Sequence, residues 1–162
     1  MRWIVPYVNF KEQYKIYGKD YTRAFQKVMV NGDFILRDEV KKFEKNLKNY
    51  LNVKYVVGVN SGTDGLLLAL GALGLKKGSE IITVSHTYVA TLSAITHIGC
   101  KPVFCDINED YNINTNEIEK LINKNTVAIV AVHLNGRSCE MRKIKSLCTK
   151  YKLHLVEDAA QS

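Results

Sequence analysis

Two hydrophobic periods divide the chain. In the N-terminal third, apolar side chains recur every three or four positions: "DEVKKFEKNLKNYL" (38–51) carries Val40, Phe43, Leu47 and Leu51 with charges between them. That spacing paints one apolar stripe on a helix, and Asp38 suits its N-cap or first turn. An earlier helix is expected over about 12–30, with "NGDF" (31–34) as the break. From Tyr55 onward, short and nearly all-apolar runs alternate with helical ones. "YVVGV" (55–59), "EIITV" (80–84), "PVFCDI" (102–107), "TVAIVAVHL" (126–134) and "LHLVED" (153–158) read as strands. Between them, "TDGLLLALGAL" (63–73, closed by Gly74), "YVATLSAITHI" (88–98, closed by Gly99), "TNEIEKLI" (115–122, opened by Thr115) and "EMRKIKSLCTKY" (140–151) read as helices. Five strands joined by four helices imply an α/β fold, a three-layer α/β/α arrangement around a mainly parallel sheet. The lack of polar alternation in the strands fits burial on both faces.

Composition narrows the partners. With 162 residues, 46% hydrophobic and 24% charged, the chain has one domain's worth of ordinary globular sequence. No repeat or low-complexity linker interrupts it. "MRWIVPYVNF" lacks an apolar core of signal-peptide length, and the longest apolar run, "GLLLALGALGL" (65–75), is too short to span a bilayer. A cytoplasmic protein with no membrane partner is therefore expected. The four cysteines (Cys100, Cys105, Cys139, Cys148) form no Cys-x-x-Cys pair and read as reduced, mostly buried thiols. The net charge of +7 sits mostly in residues 1–54, where 12 basic residues face 6 acidic ones. Such a surplus can attract nucleic acid or a small anion, or it can be a solvated lysine-rich surface. These basic residues are spread over helical faces rather than interleaved with aromatics, so no nucleic-acid partner is expected.

Ligands of open α/β sheets bind beyond the carboxyl ends of the strands. The residues placed there are "NSGTD", "SHTY", Asp106, His133 with "NGR", and "EDAAQS". In "VNSGTDGLLLAL" a Ser-Gly-Thr turn leads into a helix whose free N–H groups and dipole suit a phosphate, and Gly62 lets a backbone approach closely. The segment is neither G-x-x-x-x-G-K-[ST] nor G-x-G-x-x-G, which argues against an NTP-cleaving loop and weakens a dinucleotide fold. Ser61 or Thr63 acting only as a helix cap is the competing reading. Tyr88 is placed to lie on a planar ligand or to fill the core. His86 and His133 lack the spacing of metal ligands, so no metal is expected. Asp158 ends an apolar strand, where a carboxylate needs a partner, and a protonated ring nitrogen is one. A phosphate anchor, a flat surface and an anion together meet the demands of pyridoxal 5'-phosphate.

"VNSGTDGLLLALGALGL", "HTYVAT", "KPVFCDINEDYNIN", "VAIVAVHLNG" and "LVEDAAQS", in that order, resemble the N-terminal half of the DegT/DnrJ/StrS family of nucleotide-sugar aminotransferases, which are fold type I pyridoxal-phosphate enzymes. "FILRDEVKKFEKNLKNYLNVKYVVGV" resembles the helix leading into that family's first strand, and the resemblance runs from about Val5. It implies residues 1–36 as an N-terminal segment with a helix and 37–162 as the first part of the cofactor-binding large domain. It also implies site roles: Gly62, Thr63 and Asp64 at the phosphate, Tyr88 on the pyridine ring, Asp158 at the ring nitrogen and Gln161 near the ring hydroxyl. Gly65, Asn135 and Arg37 depart from the family's usual Ala, Tyr and Gly. The last two bear on which sugar is bound.

The implied activity is transfer of an amino group from an amino acid, commonly glutamate, to a keto-sugar nucleotide, by a homodimer serving polysaccharide or glycan synthesis. The family's Schiff-base lysine falls beyond Ser162, so no catalytic residue is assigned within the chain, and the 162 residues alone are expected to be inactive and weakly stable. A histidine at that downstream position marks the family's sugar dehydratases, which residues 1–162 do not separate from the aminotransferases. A non-catalytic binding or regulatory homologue is the rival from another class.

Overall fold

The computed structural model describes residues 8–32 and 34–162. The first seven residues and Asp33, which belong to the expected N-terminal segment and helix break, lie outside them. The chain divides into two compact units, residues 1–58 and 59–162.

The first unit holds two helices. Helix α1 (Phe10–Asn31) opens where the Asn9 side chain accepts the Glu12 N–H at 3.2 Å, and it ends at Gly32 in the left-handed region. Helix α2 (Asp38–Leu51) has Asp38 and Glu39 in its first turn, next to the positive end of the dipole. Lys27 and Lys42 both reach the Glu39 carboxylate, at 2.9 and 3.2 Å, and hold it below the usual carboxylate range. The expected apolar stripe of α2 is present, but Val40, Phe43 and Leu51 are exposed and no residue of the helix is buried.

Residues 55–59 do not form the expected strand. Gly58 donates its N–H to Glu44 Oε1 at 2.7 Å rather than to a neighbouring strand, and Tyr55 and Val57 are exposed. A strand exists only where a second backbone takes up its hydrogen bonds; this segment has β propensity and no partner. The sheet therefore has four strands among the described residues, not five.

The second unit runs α3 (Gly62–Ala72), β1 (Glu80–Val84), α4 (Val89–His97), β2 (Lys101–Cys105), α5 (Thr115–Leu121), β3 (Thr126–Val132), a short 3₁₀ turn (Leu134–Gly136), α6 (Met141–Tyr151) and β4 (His154–Asp158). All strand pairs are parallel, in the order β2-β1-β3-β4. The chain steps from β1 to β2 in one direction, then crosses back over β1 to β3 and continues to β4. Parallel crossovers are nearly all right-handed, so a reversal of direction moves the connecting helix to the opposite face. The core follows this rule. Ile81, Ala128 and Val130 pack with Leu66 and Leu70 of α3 and Ala94 and Ile95 of α4. Ile82, Ile129 and Ala131 pack with Ile118 of α5 and Ile144 and Cys148 of α6. The three-layer α/β/α expectation holds, and the central strands β1 and β3 are the most buried because both their faces are covered. No helix among the described residues is long and apolar enough to cross a membrane.

The reversal has a functional consequence. Where β1 and β3 lie side by side, the loops leaving their carboxyl ends turn to opposite faces and open a crevice, the usual ligand position in a doubly wound sheet.

Candidate functional site

Three chain segments converge at that edge. The first is the start of α3. Ser61 is its N-cap: the Ser61 hydroxyl oxygen accepts the Asp64 N–H at 3.1 Å, and the Ser61 carbonyl accepts the Gly65 N–H at 2.9 Å. The Ser61 hydroxyl in turn donates to Asp64 Oδ2 at 3.1 Å. The capping bond uses one orphan amide of the first turn, that of Asp64, and the Gly65 bond is the first regular turn of the helix. The amides of Gly62 and Thr63 find no acceptor among the described residues. Capping and anion binding, competing readings of one motif, thus separate by residue: Ser61 caps, while Gly62 and Thr63 present free N–H groups at the positive end of the dipole. A Cβ built on Gly62 meets nothing nearer than the Ala160 Cβ at 4.0 Å, so packing within the protein does not explain the glycine.

The second segment is the turn from β1 into α4. Tyr88 immediately precedes α4 and is 70% exposed, so it does not fill the core. The third is the end of β4. Asp158 is only 8% exposed; its Oδ2 accepts the Thr91 hydroxyl at 2.8 Å and its Oδ1 accepts the Ala160 N–H at 3.3 Å.

Gly62, Thr63, Tyr88 and Asp158, with Leu66, Ala90 and Ala160, line one cavity of about 230 Å³. Four of the six site residues expected from the sequence are therefore brought together. Asp64 sits in the first turn of α3, where its carboxylate faces Ser61. Gln161 lies outside the cavity lining: its Oε1 accepts the Asn135 N–H at 2.6 Å, tying the segment after β4 to the turn after β3. Gly136, next in that turn, has φ +76° and the Gln161 carbonyl 3.0 Å from where a Cβ would stand, so only glycine fits there.

The histidines are held by the protein. His133 Nδ1 accepts the Cys139 N–H at 3.2 Å, which leaves Nε2 to carry the proton toward Glu157 Oε2 at 3.1 Å. The His86 ring stands tilted beside Tyr111, with centroids 5.6 Å apart. A larger open groove of about 580 Å³ follows α1 past Tyr14, Gly18 and Thr22, but it is the surface of one helix and has no carboxylate in its wall.

Sequence reasoning missed Thr91. It is fully buried and bonded to the one carboxylate of the cavity. Its signal was modest: a hydroxyl in the first turn of a helix otherwise buried through Ala90, Ala94 and Ile95.

Comparison with known proteins gives a consistent result. The sequence pattern of the DegT/DnrJ/EryC1/StrS aminotransferase family matches residues 15–162. The chain is 38% identical over 161 residues to the dTDP-3-amino-3,6-dideoxy-alpha-D-galactopyranose transaminase of Aneurinibacillus thermoaerophilus, covering 98% of this chain and 44% of that protein. Its fold superimposes on S. venezuelae DesV with a TM-score of 0.93 at 36% identity, over 98% of this chain and 43% of that one. The E. coli GDP-4-keto-6-deoxy-D-mannose-3-dehydratase, solved with bound hydrated PLP, matches with a TM-score of 0.80 at 28% identity, over 84% of this chain and 37% of that one. The chain thus spans less than half the length of these relatives.

Proposed function

Because the chain belongs to the DegT/DnrJ/EryC1/StrS aminotransferase family, we propose that it forms the cofactor-holding part of a pyridoxal-phosphate aminotransferase that aminates a keto-sugar nucleotide, with an amino acid such as glutamate as donor. The observation that carries this reading is the convergence of two free helix amides, an exposed tyrosine ring and a buried carboxylate on one cavity. Each fits one part of the cofactor. The Gly62 and Thr63 N–H groups suit the phosphate, the Tyr88 face suits the planar ring, and Asp158 suits a protonated ring nitrogen. When bound, the cofactor supplies an electron sink for the carbon that exchanges its amino group.

The residues of this chain would contribute binding and charge. Asp158 would hold the ring nitrogen's proton, and Tyr88 would offer a face to the ring. Among the described residues no lysine or arginine lines this cavity, so the part of the anchor made here is backbone and does not depend on a side-chain rotamer. The cavity is smaller than the 300–1,000 Å³ typical of small-molecule pockets, which fits one wall of a larger cleft. Residues 37–162 are read as the first part of the cofactor-binding domain, Asp64 as supporting the phosphate turn, and Gln161 as a group near the ring hydroxyl. The assembly is read as a homodimer.

Titration with pyridoxal phosphate and with pyridoxal tests the anchor. Wild-type chain should prefer the phosphorylated form by at least an order of magnitude, since helix-terminal amides act on the phosphate. Equal affinity for the two would sink the reading. In the whole protein, ¹⁵N from labelled glutamate should appear on a keto-sugar nucleotide. The dehydratase relative motivates the second reading: loss of a sugar hydroxyl without nitrogen uptake would establish that one instead.

A further inference from the structure

We propose that Thr91, oriented by Thr87, sets the position of the Asp158 carboxylate and is a positioning residue of the cofactor site; this rests on the reading of Asp158 given above. The direction of the hydrogen bonds follows from counting protons. An ionised carboxylate only accepts, so the single hydroxyl proton of Thr91 points at Asp158 Oδ2, 2.8 Å away. Thr91 Oγ1 then has only lone pairs left for Thr87 Oγ1 at 2.9 Å, so Thr87 donates. The result is an ordered chain of hydroxyls, Thr87 to Thr91 to Asp158.

Thr91 differs from three of the other helical threonines, and resembles Thr115 of α5, whose hydroxyl also leaves its helix, for Glu140 Oε2 at 2.5 Å. Thr22, Thr96 and Thr149 each turn their hydroxyl back to a carbonyl of their own helix, those of Gly18, Leu92 and Lys145 at 2.9, 3.1 and 2.9 Å. That is the default for this side chain, whose branched Cβ leaves few rotamers. Thr91 instead reaches out of α4 to a strand end 67 residues away in sequence. The other bond to the carboxylate is longer, at 3.3 Å, and comes from Ala160, two residues along the same backbone. It moves with Asp158 and cannot orient the carboxylate relative to the rest of the site.

Tyr88 is the N-cap of α4 and Thr91 lies in its first turn, three residues further on. One rigid element therefore carries both the surface for the ring plane and the hydroxyl that aims the carboxylate. The height of the ring over the sheet and the direction of its nitrogen partner are set together.

The test uses the 162-residue chain and pyridoxal phosphate labelled with ¹⁵N in the ring. Thr91→Val keeps the shape and removes the hydroxyl. It should weaken binding roughly tenfold, the loss expected for a hydrogen bond to a charged group, and shift the ring-nitrogen signal toward its unprotonated value. Thr91→Ser should keep both near wild type. In an Asp158→Asn background, Thr91→Val should change affinity no further, because the two act as one unit. Thr87→Val, at a half-buried position, should give a smaller loss in the same direction and carries the test apart from any folding defect of Thr91→Val. The proposal is overturned if Thr91→Val binds and titrates like wild type, if Thr91→Ser fails as badly as Thr91→Val, or if Thr87→Val changes nothing. An unchanged nitrogen signal in Asp158→Asn alone would instead overturn the role of Asp158, and the role of Thr91 with it.

Discussion

Cys105 gives a prediction whose size can be worked from the structure. It ends β2 and is 3% exposed, with its Sγ 3.4 Å from the Asn114 carbonyl. Burial, aided by the nearby Asp106 and Glu117 carboxylates, pushes the thiol up to about 11 from an ordinary 9.0. The protonated form is the one favoured by folding. The associated stability is fully present below the unfolded value and is lost as pH rises toward the folded one. Between these limits the unfolded chain releases a proton that the folded chain keeps. At pH 11 the difference amounts to about 2 kcal/mol. Urea unfolding of wild type and Cys105→Ala, under reducing conditions at pH 8 and pH 11, isolates this quantity, since lysines and tyrosines titrate alike in both proteins. Wild type should lose about 2 kcal/mol more than the variant over that interval. Equal losses would refute the argument, and would mean that the thiol is solvated in the native state.

Two further changes test the core and the phosphate turn. Gly65→Ala in α3 should raise stability by about 0.5–1 kcal/mol, because the new Cβ meets only Val59 Cγ2, at an ordinary 3.6 Å; a lowered thermal midpoint would contradict that packing. Ile129→Ala, at the fully buried centre of β3, should cost about 2–5 kcal/mol in denaturant unfolding, and a loss below about 1 kcal/mol would mean that the sheet centre is not close-packed.

How much of this was legible in the sequence depended on whether a residue's surroundings lie close to it along the chain. Helix 38–51 and strand 80–84 have the same bounds in the sequence reading and in the structure. Their periods and flanking signals are local. The segment 55–59 looked as strand-like as 80–84, but strand formation requires a partner, and no pattern within five residues reports one. Gly62, Thr63, Tyr88 and Asp158 were legible because each sits at or beside an element boundary, Gly62 and Thr63 opening α3, Tyr88 capping α4 and Asp158 ending β4, where ligands of α/β sheets bind. Thr91 was not, because its role depends on Asp158, far off in sequence. Gln161 shows the converse: a polar residue close to the site in sequence, whose side chain is engaged with the Asn135 backbone.

The strand order also governs how this unit comes into being. β1 is complete at Val84, yet its neighbour β3 begins only at Thr126. On a ribosome adding 5–20 residues per second, the intervening stretch of about 40 residues takes roughly 2–8 s to appear. Through that interval the edge of β1 that will face β3, with Ile81 and Ile82, stays unpaired, and its other edge gains β2 only once residues 101–105 have appeared. Such an unpaired apolar edge is a template for pairing with other chains. The crevice that the reversal opens for a ligand thus comes with a window of exposure during synthesis, and nascent chains should be most dependent on chaperones between the emergence of β1 and that of β3.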